Sequence, residues 1–429
     1  MYNFISLAGL LLLPGLAWVF SAHRRQVRLR TVAAGLTIQL LFGALIFLVP
    51  PVSHVFLVLS KIVVKVLEAA QAGTVFCFGP LAQPPGHKES IGFILTFQGL
   101  ATIVFFAALM ELLYFVGIMP LLLKGFSRLF TRLMKVSGAE SLCASSNIFV
   151  GIEAATTVRP YLKTMTLSEL CTVLTAGLAT IASSILGMYV FMLQGTFPQI
   201  AAHLISASLL SAPAAIVMSK LLMPETQQPE TLGLHVEPHY RRSGNFLEAL
   251  LNGANAGGRL VLGVIVMLLA FLGMVELLNM FVGFIGQHVN AWLGLQGTWS
   301  LQYALSYIFY PFALIIGVPP ADAFKVATLL GERAIMTEVP AYQHLNQMIA
   351  DGVFSNPRSA VLAGYALCGF THVASIAIFV GGISALAPHQ TNPLTRVAFR
   401  AFVAATLACL MTACIAGLFY GQSELFIMK

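Results

Sequence analysis

Charge is what this chain has least of. Asp, Glu, Lys and Arg make up 9% of its 429 residues while 58% are hydrophobic, against about 25% charged in an ordinary soluble domain. Too few polar groups remain to cover a water-soluble globule of this length, so the apolar excess requires lipid as its solvent. The six cysteines (Cys77, Cys143, Cys171, Cys368, Cys409 and Cys414) show neither CxxC pairs nor regular spacing. That excludes a disulfide framework or thiolate metal cluster and leaves them as small buried residues. No nucleophile is framed with its base, and no phosphate loop is present. His372 and Ser375 lie one helical turn apart, but no elbow motif frames the serine, so an enzyme is not expected.

Long apolar runs are present in number. Phe4–Phe20, Val32–Pro50, Ile91–Leu123, Leu170–Leu193, Leu260–Phe284 and Ala401–Phe419 reach or approach the ~20 residues that cross a hydrocarbon core. The basic residues that produce a net charge of +7 cluster at the ends of these runs: Arg24, Arg25, Arg28 and Arg30; Lys124, Arg128, Arg132 and Lys135; Arg396 and Arg400. The positive-inside rule accounts for them without nucleic acid. Met1–Phe20 has no basic region before it and a basic cluster after it, so it reads as a first spanning helix and not as a cleaved signal. This order places both termini outside the cytoplasm.

The expected fold is an all-α polytopic membrane protein with eight transmembrane helices, near 4–21, 32–49, 91–118, 168–193, 199–222, 259–283, 360–385 and 396–420. Residues 1–90 form N-terminal scaffold helices with an interfacial helix over 54–71, where Lys61 and Lys65 sit four apart. Residues 91–223 form a first half with a re-entrant hairpin over about 138–162, broken by Gly138, Gly151 and Pro160. Residues 224–244, rich in Pro, Gln, Glu and His and ending in Arg241-Arg242, are a cytoplasmic linker. Residues 245–429 form a second half: a short interfacial helix Phe246–Gly257, a span Arg259–Gly283, and an opposed hairpin over about 301–345. Each half then has a broken hairpin followed by a helix rich in small polar residues, the order of an inverted repeat.

Glu153 and Glu338 lie inside these broken apolar stretches. A carboxylate at membrane depth costs several kcal/mol unless paired, hydrated or protonated, which makes both functional-site candidates. Arg159-Pro-Tyr-Leu162 follows the first, and Pro340-Ala-Tyr342 follows the second. Glu111 and Glu276 also fall within spans and read as structural or oligomer contacts. Glu332-Arg333 reads as a local ion pair, and Asp322 as a helix cap.

The motifs Asn147-Ile-Phe-Val-Gly151, Thr164–Leu170, Gly177-Leu-Ala-Thr-Ile181, Glu338 with Ala341-Tyr342, and Tyr365-Ala-Leu-Cys-Gly-Phe370 resemble the concentrative nucleoside transporters, homotrimers coupled to Na⁺ or H⁺. The resemblance runs from Arg30 to Leu386. It implies Na⁺ ligands at Asn147, Val150, Thr180 and Ile181, whose amide, hydroxyl and carbonyl oxygens suit a hard cation. It implies substrate contacts at Gly151, Ile152, Glu153, Thr337, Glu338, Phe370, His372 and Ser375. The family tip Gly-Gln-Thr/Ser-Glu is here Gly151-Ile152-Glu153, one residue shorter and without its amide. The family Asn-Glu is Thr337-Glu338, and Phe-Ala-Asn-x-x-Ser is Phe370-Thr371-His372-x-x-Ser375.

The departures fall on substrate positions and leave the cation positions intact. The resemblance thus implies a symporter for nucleosides or a related ribose-bearing compound in a bacterial inner membrane, with the lipid bilayer and its own copies as partners. No cofactor beyond the coupling ion is expected. A nucleobase transporter, a channel and a nucleoside-sensing membrane protein are the alternatives.

Overall fold

The computed structural model describes residues 1–83, 88–240, 242–293 and 299–426. Arg241 of the expected linker and the side chain of Ile152 lie outside the described set. The chain is all-α. The N-terminal part has α1 (Tyr2–Val19), α2 (Leu29–Leu48) and α3 (Pro50–Phe78); a π-helical turn over Leu95–Leu100 then leads into α4 (Thr102–Val116) and α5 (Ile118–Met134). Next come α6 (Gly138–Ser146), a 3-10 return over Ile152–Val158, α7 (Leu167–Ala179), α8 (Ser183–Leu193) and α9 (Ile200–Leu222). After the linker follow α10 (Phe246–Leu293), α11 (Leu301–Ile315), α12 (Pro320–Ile335), α13 (Glu338–Ala350), α14 (Pro357–Leu367), α15 (Val373–Leu386) and α16 (Thr391–Leu418).

Among the described residues, seven helical stretches are long and apolar enough to cross a membrane: Tyr2–Val19, Leu29–Leu48, Leu95–Val116, Leu167–Leu193, Ile200–Leu222, Phe246–Ala291 and Pro388–Leu418. Leu301–Ile315 and Val373–Leu386 are apolar but shorter. The core forms where α9 and α16 pack against each other and against α1, α7 and α14. Burial separates this centre from the periphery: 89% of the α9 window is buried, but only 6% of the α10 window. The outer face of α10, with Leu262, Val266, Leu269, Met280 and Phe281 exposed, therefore has to meet lipid or another chain.

Local chemistry starts the key helices. Ser137 and Glu140 form a reciprocal capping box at α6, and Thr166 and Glu169 form another at α7; each pair satisfies two amides that a helix start leaves free. Lys220, nearly buried on α9, pairs with Glu140 at 2.7 Å and approaches Glu225 at 3.7 Å. The start of α6 is thereby tied to the residues that follow α9. The linker continues across it: Thr231 accepts from the Gly138 amide at 2.8 Å, and the His239 amide donates to Thr157 at 2.8 Å.

Several expected boundaries change. Phe246–Gly257 and Arg259–Gly283 are not two elements but parts of one 48-residue helix, α10, about 72 Å long at 1.5 Å per residue. Gly257, at the expected boundary, lies inside this helix and serves packing with Gly253. A Cβ on Gly253 would lie 2.6 Å from Ala108 Cα and one on Gly257 2.7 Å from Val104 Cα, so these glycines, four apart, let α10 lie directly on α4. Residues 301–345 resolve into a separate helix, α11, and the pair α12–α13 with its turn at Met336-Thr337. The spans expected over 168–193 and 360–385 are each interrupted in the middle, at Thr180-Ile181-Ala182 and at Cys368–His372. Five cysteines are buried as expected, whereas Cys77 is exposed.

Candidate substrate and cation site

The two interruptions carry the site. At the first, α7 ends at Ala179, and the Thr180 hydroxyl turns back to donate to the Ala176 carbonyl at 2.8 Å. The Ser183 amide, which opens α8, donates to the Phe149 carbonyl at 2.9 Å. That bond pins the turn after α6 against the break. At the second, α14 stops at Leu367, leaving carbonyls that no further turn can satisfy. Arg333, fully buried, donates through Nη1 to the Ala366 carbonyl, and Cys409 approaches the Cys368 carbonyl with its thiol at 3.2 Å.

Glu338 opens α13 beside this second break. Tyr189 of α8 donates its hydroxyl to Glu338 Oε1 at 2.6 Å, and the Tyr189 and Tyr342 rings stack with centroids 4.5 Å apart. His372 Nε2 stands 3.1 Å from Glu338 Oε2, an ion-pair separation when the ring is protonated. The contact is not aligned as a hydrogen bond, so Oε2, though buried, remains an acceptor without a donor.

His372 also caps α15. Its Nδ1 accepts from the Ser375 amide at 3.2 Å, and its Nε2 lies 2.6 Å from Ser375 Oγ. Accepting at Nδ1 leaves the proton of the neutral ring on Nε2, the nitrogen facing Ser375 and Glu338. Asparagine is a preferred residue at such a cap. The histidine therefore keeps the capping function and adds a second nitrogen that reaches the carboxylate.

A cavity of about 320 Å³ brings together Gly151, Glu153, Thr337, Glu338, Phe370, His372 and Ser375, every expected substrate position whose side chain is described. Its volume lies in the range that small ligands occupy. The Thr337 and Thr371 hydroxyls are buried nearby without hydrogen-bond partners among the described residues. Glu153 and Gly151 also border a second cavity of about 420 Å³, which reaches Glu111, Arg159 and the linker residues His239 and Tyr240. Glu153 thus stands at the junction of two spaces, whereas Glu338 lies in the first alone.

Of the four expected cation positions, Thr180 and Ile181 lie in the first break, and the Ser183–Phe149 bond brings the turn that holds Val150 against it, with Asn147 at the end of α6 just before that turn. Asn147 is the C-terminal cap of α6; its Nδ2 donates to the Cys143 carbonyl at 3.0 Å, and its Oδ1 is buried without a donor. Thr180 and Ile181 are buried, and Val150 is half-buried. An orphaned amide oxygen together with a hydroxyl whose proton points elsewhere is a donor set that fits a hard monovalent cation.

Comparison with known proteins follows the same residues. Family models described as the Na⁺-dependent nucleoside transporter C-terminus and N-terminus match residues 203–417 and 8–81, and a nucleoside-recognition gate model matches 96–196. The nucleoside permease NupC of Helicobacter pylori is 34% identical over 424 residues, covering 98% of each chain. The chain belongs to the Na⁺-dependent nucleoside transporter family. Human solute carrier family 28 member 3 is 36% identical over 428 residues, and the chain spans 59% of its length. The solved structure of CNTnw in an inward-facing substrate-bound state superposes with a TM-score of 0.86 at 34% identity, over 99% of both chains.

Several residues around this candidate site carried no signal in the sequence. Tyr189 sits in an apolar run, 149 positions from the carboxylate it bonds. Arg333 does not pair with Glu332 as expected: Glu332 bonds His344 at 2.9 Å, while Arg333 turns inward to the broken end of α14. Asp322 caps, but at a different helix: it accepts from Ser355, Asn356 and Ser359 at the start of α14. Glu111 accepts from Ser243 at 3.4 Å, joining α4 to the end of the linker.

Proposed function

We propose that this chain is a cation-coupled symporter that imports nucleosides, or a related ribose-bearing compound, by alternating access. The observation that carries the reading is Glu338: a buried carboxylate held by Tyr189 through one oxygen, with an acceptor free on the other, in a cavity shared with Glu153. A carboxylate offers about four lone-pair positions, so the pair of ribose hydroxyls has acceptors beside the one that Tyr189 uses. Ser375 and His372 Nε2 flank the same place and complete a polar end. Phe370, which lines the same cavity, supplies an apolar surface for the nucleoside.

In this reading Na⁺ binds through Asn147, Val150, Thr180 and Ile181. Because the Ser183–Phe149 bond links the two strands of this site, occupancy favours the arrangement of the Gly151–Glu153 tip that receives substrate. A cation shifts that equilibrium only by its differential affinity for the two states. The family relationship supports sodium; H⁺ is the other coupling ion the reading admits. The cavity beyond Glu153, bordered by the linker, is the release side.

The same reading makes α6 with its 3-10 return, and α12 with α13, two opposed re-entrant hairpins of an inverted repeat. Each is followed by a broken helix, as transporters of this type use at the midplane. It also includes eight spans, interfacial helices, both termini outside, a bacterial inner membrane and a homotrimer, to which the exposed face of α10 offers an apolar surface.

The test is uptake by the purified chain in proteoliposomes. Nucleoside accumulating above its external concentration under an inward Na⁺ or H⁺ gradient is expected. Equilibration without accumulation identifies a channel, and competition by free bases equal to that by nucleosides identifies a nucleobase carrier. Binding without uptake identifies a sensor.

A further inference from the structure

Arg259 is a cation that the transport reading does not use. It lies on α10, lines the same cavity as Glu153 and Glu338, and is exposed there. It has no hydrogen bond or ion pair with a described residue. An arginine in an apolar spanning helix is costly unless it faces a partner or a water-filled cavity. Here it faces the cavity, and the polar partner it lacks in the protein is one a solute can supply.

The position of Arg259 within the cavity matters. The Glu338, His372 and Ser375 cluster forms one end. Gly151, Glu153 and Leu260, which adjoins Arg259 in the chain, border both this cavity and the one beyond, and so mark the other end. If the ribose takes the first end, the base lies toward Glu153 and Arg259. A carboxylate there accepts hydrogen bonds and a guanidinium donates them in a fixed two-point fork. The tip residue Ile152 adds neither a donor nor an acceptor from its side chain, so these two charged groups dominate the polar chemistry of that end.

Their pairing describes a particular base. Guanine carries two adjacent donors, N1–H and the N2 amino group, which match the two oxygens of a carboxylate. It also carries two adjacent acceptors, O6 and N7, which match an arginine fork. Hypoxanthine keeps both acceptors and one of the donors. Uracil offers one donor flanked by single acceptors. Adenine puts an amino group where the fork needs an oxygen, and a lone pair at N1 where the carboxylate needs a proton.

We propose that Arg259 is a specificity-determining residue which, with Glu153, selects 6-oxopurine ribonucleosides and guanosine above all. This rests on the nucleoside-transport reading and names the substrate class of the same site. It also assigns a consequence to the shortened tip: the recognition that an amide side chain would give is moved to a charged pair on the tip and on α10.

The test is radiolabelled guanosine and uridine uptake by the full chain in proteoliposomes, for the unaltered protein, Arg259→Gln and Arg259→Lys, with competition by inosine, adenosine and 7-deazaguanosine. Guanosine is expected to half-saturate uptake at a concentration at least tenfold lower than uridine, with inosine between them. 7-Deazaguanosine, which lacks the N7 acceptor, should compete several-fold less well than guanosine. Arg259→Gln should reduce the guanosine-to-uridine preference to below threefold, and Arg259→Lys, which keeps the charge but not the fork, should give an intermediate value.

Equal handling of guanosine and uridine by the unaltered protein overturns the inference and leaves nucleoside transport standing. An Arg259→Gln loss equal for every nucleoside, which marks a structural residue, overturns it as well. Uptake of no nucleoside overturns this inference and the transport reading together. The 7-deazaguanosine arm needs no variant: competition equal to that of guanosine overturns the N7 contact even if the variants fail to fold.

Discussion

Tyr189 donates to Glu338 across 2.6 Å, and through that bond the second segment of one broken helix touches the turn between α12 and α13. The contact joins residues 149 positions apart in the chain. Tyr189→Phe removes the donor while keeping the ring on Tyr342, and leaves a buried carboxylate oxygen short of a partner. Such a loss costs about 1–3 kcal/mol, so the concentration for half-maximal nucleoside uptake should rise about tenfold or more. Unchanged uptake kinetics would show that Glu338 is positioned without the tyrosine.

The double role of His372 separates under two substitutions. His372→Asn retains a side chain able to cap α15 and loses the contact with Glu338; His372→Ala loses both. Loss of a cap costs about 1 kcal/mol, so thermal unfolding in detergent should fall for the alanine variant and stay near the parent for asparagine. Equal melting of the two variants would mean that the Ser375 amide needs no cap from this position.

Asn147 holds a buried amide oxygen with no donor, and the transport reading assigns that oxygen to the coupling cation. Asn147→Leu should therefore abolish or strongly weaken the Na⁺ dependence of uptake, and should remove any thermal stabilisation by Na⁺, which reports binding through linkage. A Na⁺ response like that of the parent would exclude this site.

The close approach of α10 to α4 depends on Gly253 and Gly257. A Cβ at either position meets backbone within 2.7 Å, and backbone cannot rotate away as a side chain can. Gly257→Val should destabilise the protein by about 1–3 kcal/mol or more, measurable as a lower unfolding midpoint. Gly263→Ala, where nothing lies within 4 Å, should be nearly neutral.

The glutamates were legible because a charge in an apolar stretch is conspicuous, and the cavity does bring Glu153 and Glu338 together. The helix interruptions were not. Thr180-Ile181-Ala182 contains neither Gly nor Pro, and a β-branched apolar run has the same composition whether it continues a helix or leaves it. Gly369 marked the second interruption only weakly, in a helix already rich in small residues. Tyr189, Arg333 and Arg259 were hidden for a different reason: their significance lies in partners and surfaces distant in the chain, which periodicity cannot report. In α10 the boundary expected between Gly257 and Arg259 falls inside one helix, and Gly257 is one of the two glycines that let it lie against α4.

That unbroken helix borders both cavities, with Gly253 and Gly257 along one and Gly263 along the other, and Leu260 shared between them. The two chambers therefore have one wall in common. In the transport reading, a solute passing from the first to the second travels along a single helical face, with Leu260 on the shared wall and Glu153 as its gatepost.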